Sequence, residues 1–128
     1  MMGRSHRMDP DRLRGACLSR AGAEETFPFG DTVSVFKVAG KIFALSSLAE
    51  APLRVSLKCE PELAEQLRQA HPEIVPGYHL NKRHWNTVEV DGLPEGMVLD
   101  MIEDSYDLVV AALPRAAREK LGWKPAVE

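Results

Sequence analysis

The sequence predicts an α+β domain: a mainly antiparallel sheet of about four to five strands with helices packed on one face, in the order α-β-β-β-α-β-α-α. Three observations predict it. Two runs rich in β-branched and aromatic residues, 32–38 and 41–46, flank the short connection Ala39-Gly40, as the arms of a hairpin do. A third run, "LRVSLKC", alternates apolar and polar residues with period two. Apolar residues at helical spacing appear at both ends of the chain and once in the middle. A strand meander flanked by helices gives segregated α+β layers rather than a parallel α/β sheet.

Each element has its local reason. In "MDPDRLRGACL", Asp9 suits an N-cap, Pro10 the first helical position and Asp11 the positive end of the helix dipole. Leu13, Ala16 and Cys17 share one face, and Gly22 suits a C-terminal stop. With a two-residue turn, Val38 pairs with Lys41 and Phe36 with Phe43. Phe36, Val38, Phe43 and Leu45 then share one face, and Val33, Val35, Lys37, Ile42 and Ala44 the other. In the third strand Val55, Leu57 and Cys59 oppose Arg54, Ser56 and Lys58. Pro61 opens the helix "PELAEQLRQAH", with Leu63, Ala64 and Leu67 as its apolar stripe.

"HPEIVPGYHLNKRH" reads as a loop punctuated by Pro and Gly. "WNTVEV" is the last strand, with Asn86, Val88 and Val90 on one face and Trp85, Thr87 and Glu89 on the other; Asp91-Gly92 ends it. The tail is helical, with stripes Met97, Met101, Ile102 and then Tyr106, Val109, Val110, Leu113. Pro114 kinks or restarts that helix.

The 128 residues fit one domain over 9–124, with a flexible leader at 1–8 and a tail at 125–128. A composition of 45% hydrophobic and 27% charged residues excludes a disordered chain. No apolar run approaches the ~20 residues that span a bilayer, so no membrane partner is expected. The start "MMGRSHRMDP" lacks the apolar segment of a secretory signal. Cys17 and Cys59 form neither a disulfide framework nor a zinc spacing, and both fall on apolar faces. Buried free thiols in a reduced cytoplasm are the expectation.

Net charge is −3, which draws the chain to no polyanion as a whole. Charge is nonetheless segregated along it. Between Trp85 and Pro114 stand Glu89, Asp91, Glu95, Asp100, Glu103, Asp104 and Asp107, with no Lys or Arg. Lys37, Lys41, Arg54, Lys58, Arg68, Lys82 and Arg83 all precede them.

Four segments, "ETFPFGDTVSVFKVAGKIFAL", "VSLKCEPELAEQLR", "PGYHLNKRHWNTVEVDG" and "IEDSYDLVVAALP", resemble the MmcQ/YjbR family of small bacterial proteins. The resemblance covers about residues 10–121, and "LNKRHWNTV" is its most distinctive part. It implies a CyaY/frataxin-like fold and a proposed double-wing DNA-binding role. It implies no catalytic residues.

The residues themselves give a binding surface more readily than an active site. Strand alternation puts Lys37, Arg54, Lys58, Trp85 and Thr87 on one face, cations interleaved with an aromatic. That pattern suits phosphate contact and base stacking. It equally suits a solvated sheet face guarded by lysines, or a protein partner anchored on Trp85. Lys82, Arg83 and His84 form a cationic loop tip before Trp85, and Asn81 and Asn86 suit bonds to nearby backbone. The expected site is Lys37, Lys41, Arg54, Lys58, Lys82, Arg83, His84 and Trp85, meeting DNA non-specifically through its phosphates or a protein partner.

No nucleophile elbow, P-loop, GxGxxG or HExxH is present. A non-enzymatic module without cofactor or metal is the expectation; a small enzyme or a metal-binding protein is the weaker alternative. His71, His79 and His84 lack a completing ligand at a standard spacing. Nothing in the sequence specifies an oligomer, and a monomer is favoured.

Overall fold

A computed structural model describes residues 8–77 and 80–124. The order is α1 (Pro10–Leu18), β1 (Ala23–Thr26), β2 (Ser34–Val38), β3 (Lys41–Ser46), β4 (Arg54–Lys58), α2 (Pro61–Ala70), β5 (Ile74–Pro76), β6 (Trp85–Glu89), a 3₁₀ turn (Val90–Gly92), α3 (Glu95–Ala111) and α4 (Arg115–Leu121). The strands form one antiparallel sheet in the order β1-β2-β3-β4-β6-β5. α3 lies along β2, β3 and β4, α1 against β1, and α2 against β5 and β6. The α+β class, the antiparallel sheet and the single helical layer are as the sequence predicts.

Six strands replace the expected four to five. The two additions, β1 and β5, are the edges. β1 is "AEET" and β5 is "IVP", too short and too polar or proline-bearing to show strand periodicity on their own. Their pairing with β2 and β6 is what makes them strands.

Asp9 caps α1 as expected: its carboxylate accepts the Arg12 N–H at 2.8 Å, with Pro10 at the first position. The helix stops at Leu18, earlier than a Gly22 stop implies. Gly22 (φ +74°) instead turns the chain into β1, where Leu121 of α4 packs so closely that a Cβ would lie 2.5 Å from its Cδ2. Met8 belongs to the core at 2% exposure rather than to the leader. Residues 1–7 and 125–128 lie outside the described residues.

The hairpin carries the main correction. Val38 pairs with Lys41 as expected, but Phe36 pairs with Ala44 and Lys37 with Ile42, so Phe43 is an extra residue in β3. A bulge of this kind sends two successive side chains to one side and reverses the alternation beyond it. Phe43 faces the helices, packing edge-on against Tyr106 with ring centroids 5.4 Å apart. Ala44 stays on that side, opposite Leu57, and Leu45 moves to the outer face opposite Ser56.

The core between sheet and helices is built from Phe36, Phe43, Val55, Leu57 and Val88 below and Val98, Ile102, Val109 and Val110 above. Burying each of the larger side chains stabilises the fold by about 1.5–3 kcal/mol. At the bulge the ladder is completed by a side chain. The β3–β4 register continued by one pair would set Phe43 opposite Lys58. Instead, Ser105 of α3 accepts the Lys58 N–H at 2.8 Å and donates its own O–H to the Phe43 carbonyl at 2.6 Å. Ser105→Ala leaves both backbone groups without that partner, and we expect it to lower unfolding free energy by about 2–3 kcal/mol, measured by urea denaturation with an unchanged m-value.

Candidate functional site

The helices cover one face of the sheet. The other face is floored by the register row Val35, Leu45, Ser56, Thr87, with Arg54 and Lys58 on either side of Ser56 along β4. This face is not flat. Phe29 and Val33 border one side and Leu80 another. Between them lies a groove of about 440 Å³, walled by Phe29, Val33, Pro52 and Leu80, floored by Leu45, Ser56 and Thr87, with Arg54 and Glu50 at the rim. The Ser56 and Thr87 hydroxyls are bonded to each other at 2.8 Å and buried. Phe29, in the groove wall, is exposed at 64%, which leaves an aromatic edge on the groove; Phe27, outside its lining, is exposed at 49%.

The predicted site residues do not fall into one cluster. Lys37 is half-buried on the outer face, opposite Glu24 on one side and Ile42 on the other. Lys58 is half-buried on the same face, opposite Trp85. Arg54 is exposed and stands opposite Glu89 at the groove end of the face. Lys41 belongs elsewhere: it sits at the hairpin turn paired with Val38, a core residue, and so shares the register of the helical side.

The loop before β6 is tied down by its own polar groups. The Asn81 side chain accepts the Arg83 N–H at 2.9 Å, and the Asn81 carbonyl accepts the His84 N–H at 3.2 Å. Lys82 is exposed, yet its ammonium donates to the Gly77 carbonyl at 3.1 Å. The His84 carbonyl accepts the Cys59 N–H at 2.8 Å, which stitches the loop to the end of β4. Asn86 is buried and faces α2, where its carbonyl accepts from Arg68 Nη1 at 2.8 Å. Asn81 thus bonds nearby backbone as expected, whereas Asn86 is bonded to Arg68 and the Ala64 carbonyl of α2 instead. Arg83 keeps its side chain at the exposed tip.

Trp85 is half-buried rather than a free platform. Its backbone accepts the Gly77 N–H at 2.8 Å, and the approach is so close that a Cβ on residue 77 would lie 2.6 Å from the Trp85 Cβ and 3.1 Å from its carbonyl oxygen. Only glycine allows this closure. Tyr78 and His79 lie outside the described residues.

The acids occupy the other layer. Asp100, Glu103, Asp104 and Asp107 project from α3, on the helical side of the sheet. Burial, and then Asp100, Asp107 and Glu103 around it, raise the Asp104 carboxyl above its ordinary value. Asp107 also accepts the Trp123 indole N–H at 2.9 Å. Among the described residues no group of three or more His, Cys, Asp or Glu side chains is arranged to hold a metal ion. No described helix is long and apolar enough to cross a membrane.

Cys17 is fully buried, and burial pushes its thiol up to about 12. Cys59 is only half-buried, beside Asp104, and its thiol is raised by burial and then by that carboxylate. Neither is a ready nucleophile at neutral pH.

Sequence reasoning missed the groove and Arg68. The groove needs Leu45 on the outer face, which a regular hairpin forbids and the Phe43 bulge creates. The "FPFG" aromatic pair, two large apolar residues in a turn segment, was the available signal.

Fold and face together define a small sheet protein with one helical layer and a grooved, partly basic second face. The chain belongs to the YjbR family: a family model described as YjbR matches residues 18–108. It is similar to the Escherichia coli K12 protein YjbR, 40% identical over 106 residues, 82% of this chain and 90% of that protein. YbdF of Escherichia coli O157:H7 is 38% identical over 99 residues, 77% and 81% of the two chains. Among solved structures, a Deinococcus radiodurans protein with the domain DUF419 superposes with a TM-score of 0.86 at 43% identity, covering 94% of this chain and 93% of that one. A Pseudomonas syringae protein superposes with a TM-score of 0.59 at 30% identity, over 67% and 86%.

Two outcomes are expected from this geometry. Gly77→Ala forces the loop away from Trp85 and lowers stability by about 1–3 kcal/mol, seen as an earlier urea midpoint. In a thiol titration of the folded chain at pH 8, Cys59 reacts slowly and Cys17 reacts only after denaturant is added.

Proposed function

We propose that the chain is a non-enzymatic binding module that works through the outer face of its sheet, and that its partner there is a nucleic-acid backbone. The observation that carries this reading is the set of cations on the outer face, away from the acids of α3. The acids of α3 stand on the helical side, while Lys37, Lys58 and Arg54 stand on the outer face with Trp85 beside them. The loop before Trp85 carries the exposed Arg83, and Lys82, whose ammonium also holds the Gly77 carbonyl. Cations on one face hold phosphates, and an aromatic edge among them meets sugars or bases. Glu24 and Glu89, opposite Lys37 and Arg54, and Glu50 on the rim near Arg54 weaken the field and argue for modest, salt-sensitive affinity without sequence preference.

The non-enzymatic part of the reading rests on how the hydroxyls are used. Ser46 bonds the Arg54 carbonyl, Ser56 bonds Thr87, and Ser105 bridges β3 and β4, so each is engaged in the fold. A protein partner is the second reading, favoured by the exposed Phe29 in the groove wall of the same face.

The test is fluorescence anisotropy with labelled duplex and single-stranded DNA across a salt series. The wild-type chain is expected to bind with micromolar affinity at low salt and to weaken log-linearly as salt rises. Lys82→Ala/Arg83→Ala should make that slope shallower by about one for each phosphate the variant leaves unneutralised. Absence of binding at low salt removes the nucleic-acid reading and leaves the Phe29 edge as the surface to probe for protein partners.

A further inference from the structure

The groove on the outer face has features that phosphate contact does not use. At about 440 Å³ it falls in the size range of sites that take small organic ligands. Its walls are apolar, from Phe29, Val33, Pro52 and Leu80, and its floor adds Leu45. Such a surface gains by meeting a hydrocarbon or aromatic body. Its polar lining is the Ser56–Thr87 hydroxyl pair on the floor, Ser46, which already bonds the Arg54 carbonyl, Ser47, and at the rim Glu50 and one guanidinium, Arg54.

Arg54 decides the ligand's charge. Its side chain makes no ion pair and no hydrogen bond among the described residues, although Glu89 is its cross-strand neighbour. The other cations of the face lie outside the groove: Lys37 and Lys58 do not line it. A planar guanidinium with all its donors available, next to an apolar trough, recognises a carboxylate or sulfonate by a paired hydrogen bond. Glu50, on the same rim, is exposed, so its repulsion of an anion is softened by water and does not cancel a direct contact at Arg54.

We propose that this groove binds a small amphiphilic anion, an aromatic or branched-chain acid. The apolar body lies between Phe29, Leu45 and Leu80, and the acid group sits on Arg54. The site shares Arg54 with the nucleic-acid reading, but the two are tested apart, since that reading is tested at Lys82 and Arg83.

The experiment uses the full chain and the fluorescent sulfonate 8-anilinonaphthalene-1-sulfonate, followed by displacement with 2-naphthoate and with neutral 2-naphthalenemethanol. Saturable one-to-one binding is expected, with naphthoate the stronger competitor. Arg54→Gln should weaken the sulfonate and naphthoate about tenfold and leave the neutral alcohol unchanged. Phe29→Ala, at a side chain mostly in solvent, should weaken all three several-fold. Glu50→Gln should bind the anions at least as tightly as wild type. Absence of saturable binding overturns the site. Binding unchanged in both Arg54→Gln and Phe29→Ala is adsorption elsewhere and overturns it too. Equal weakening of the acid and the alcohol in Arg54→Gln overturns the assignment of an anion.

Discussion

Between β3 and β4 the backbone ladder runs through two residue pairs, Ala44 with Leu57 and Leu45 with Ser56, and both of its ends are finished by serine. Ser46 donates to the Arg54 carbonyl at one end, and Ser105 joins Lys58 N–H to Phe43 C=O at the other. These two strands are the middle of the six-stranded sheet, so its halves depend on this short junction. A buried amide and a buried carbonyl left unpaired here would cost more than most single side-chain contacts return. The hydroxyl also fixes α3 over the bulge, with Tyr106 against Phe43 in the next position.

That junction explains the shape of the second face. The bulge at Phe43 supplies an aromatic to the core and, by reversing the alternation, gives Leu45 to the outer face. Without it the floor row would carry Ala44 in place of Leu45. The same local irregularity therefore feeds the core on one side and the groove on the other. Around it the polar groups divide between two tasks. Asn81, Asn86 and Arg68 secure the loop and α2, whereas Arg54 and Arg83 hold their charge in solvent.

Much of this was legible in the residues. The Asp9 cap, the Lys41–Ser46 and Trp85-initiated strands, the Pro61 helix and the restart at Pro114 follow from local chemistry that tertiary structure did not override. The edge strands were not legible, because three or four residues of mixed polarity acquire strand geometry only from a neighbour. Nor was the bulge, since nothing in "KVAGKIFALS" distinguishes a regular hairpin from one with an extra residue. The candidate site inherited that gap. Cations were assigned to a face by alternation, which holds for Lys37, Arg54 and Lys58 and puts Lys41 on the helical side. The groove, made by tertiary approach of the Phe29 and Leu80 segments, has no sequence period to announce it.

The two edges of the sheet also bear on how copies of this chain meet. β5 is three residues long and ends in Pro76, which has no N–H to offer a neighbouring strand. β1 carries Glu24 and Glu25 side by side, and Arg14 of α1 reaches across to hold Glu25. Two β1 edges laid together in antiparallel fashion would bring acids against acids along a four-residue strip. Sheet growth by strand addition is thus disfavoured at both ends. A molecule whose margins discourage lateral stacking can keep an apolar trough and two solvent-facing phenylalanines on its surface with less exposure to aggregation.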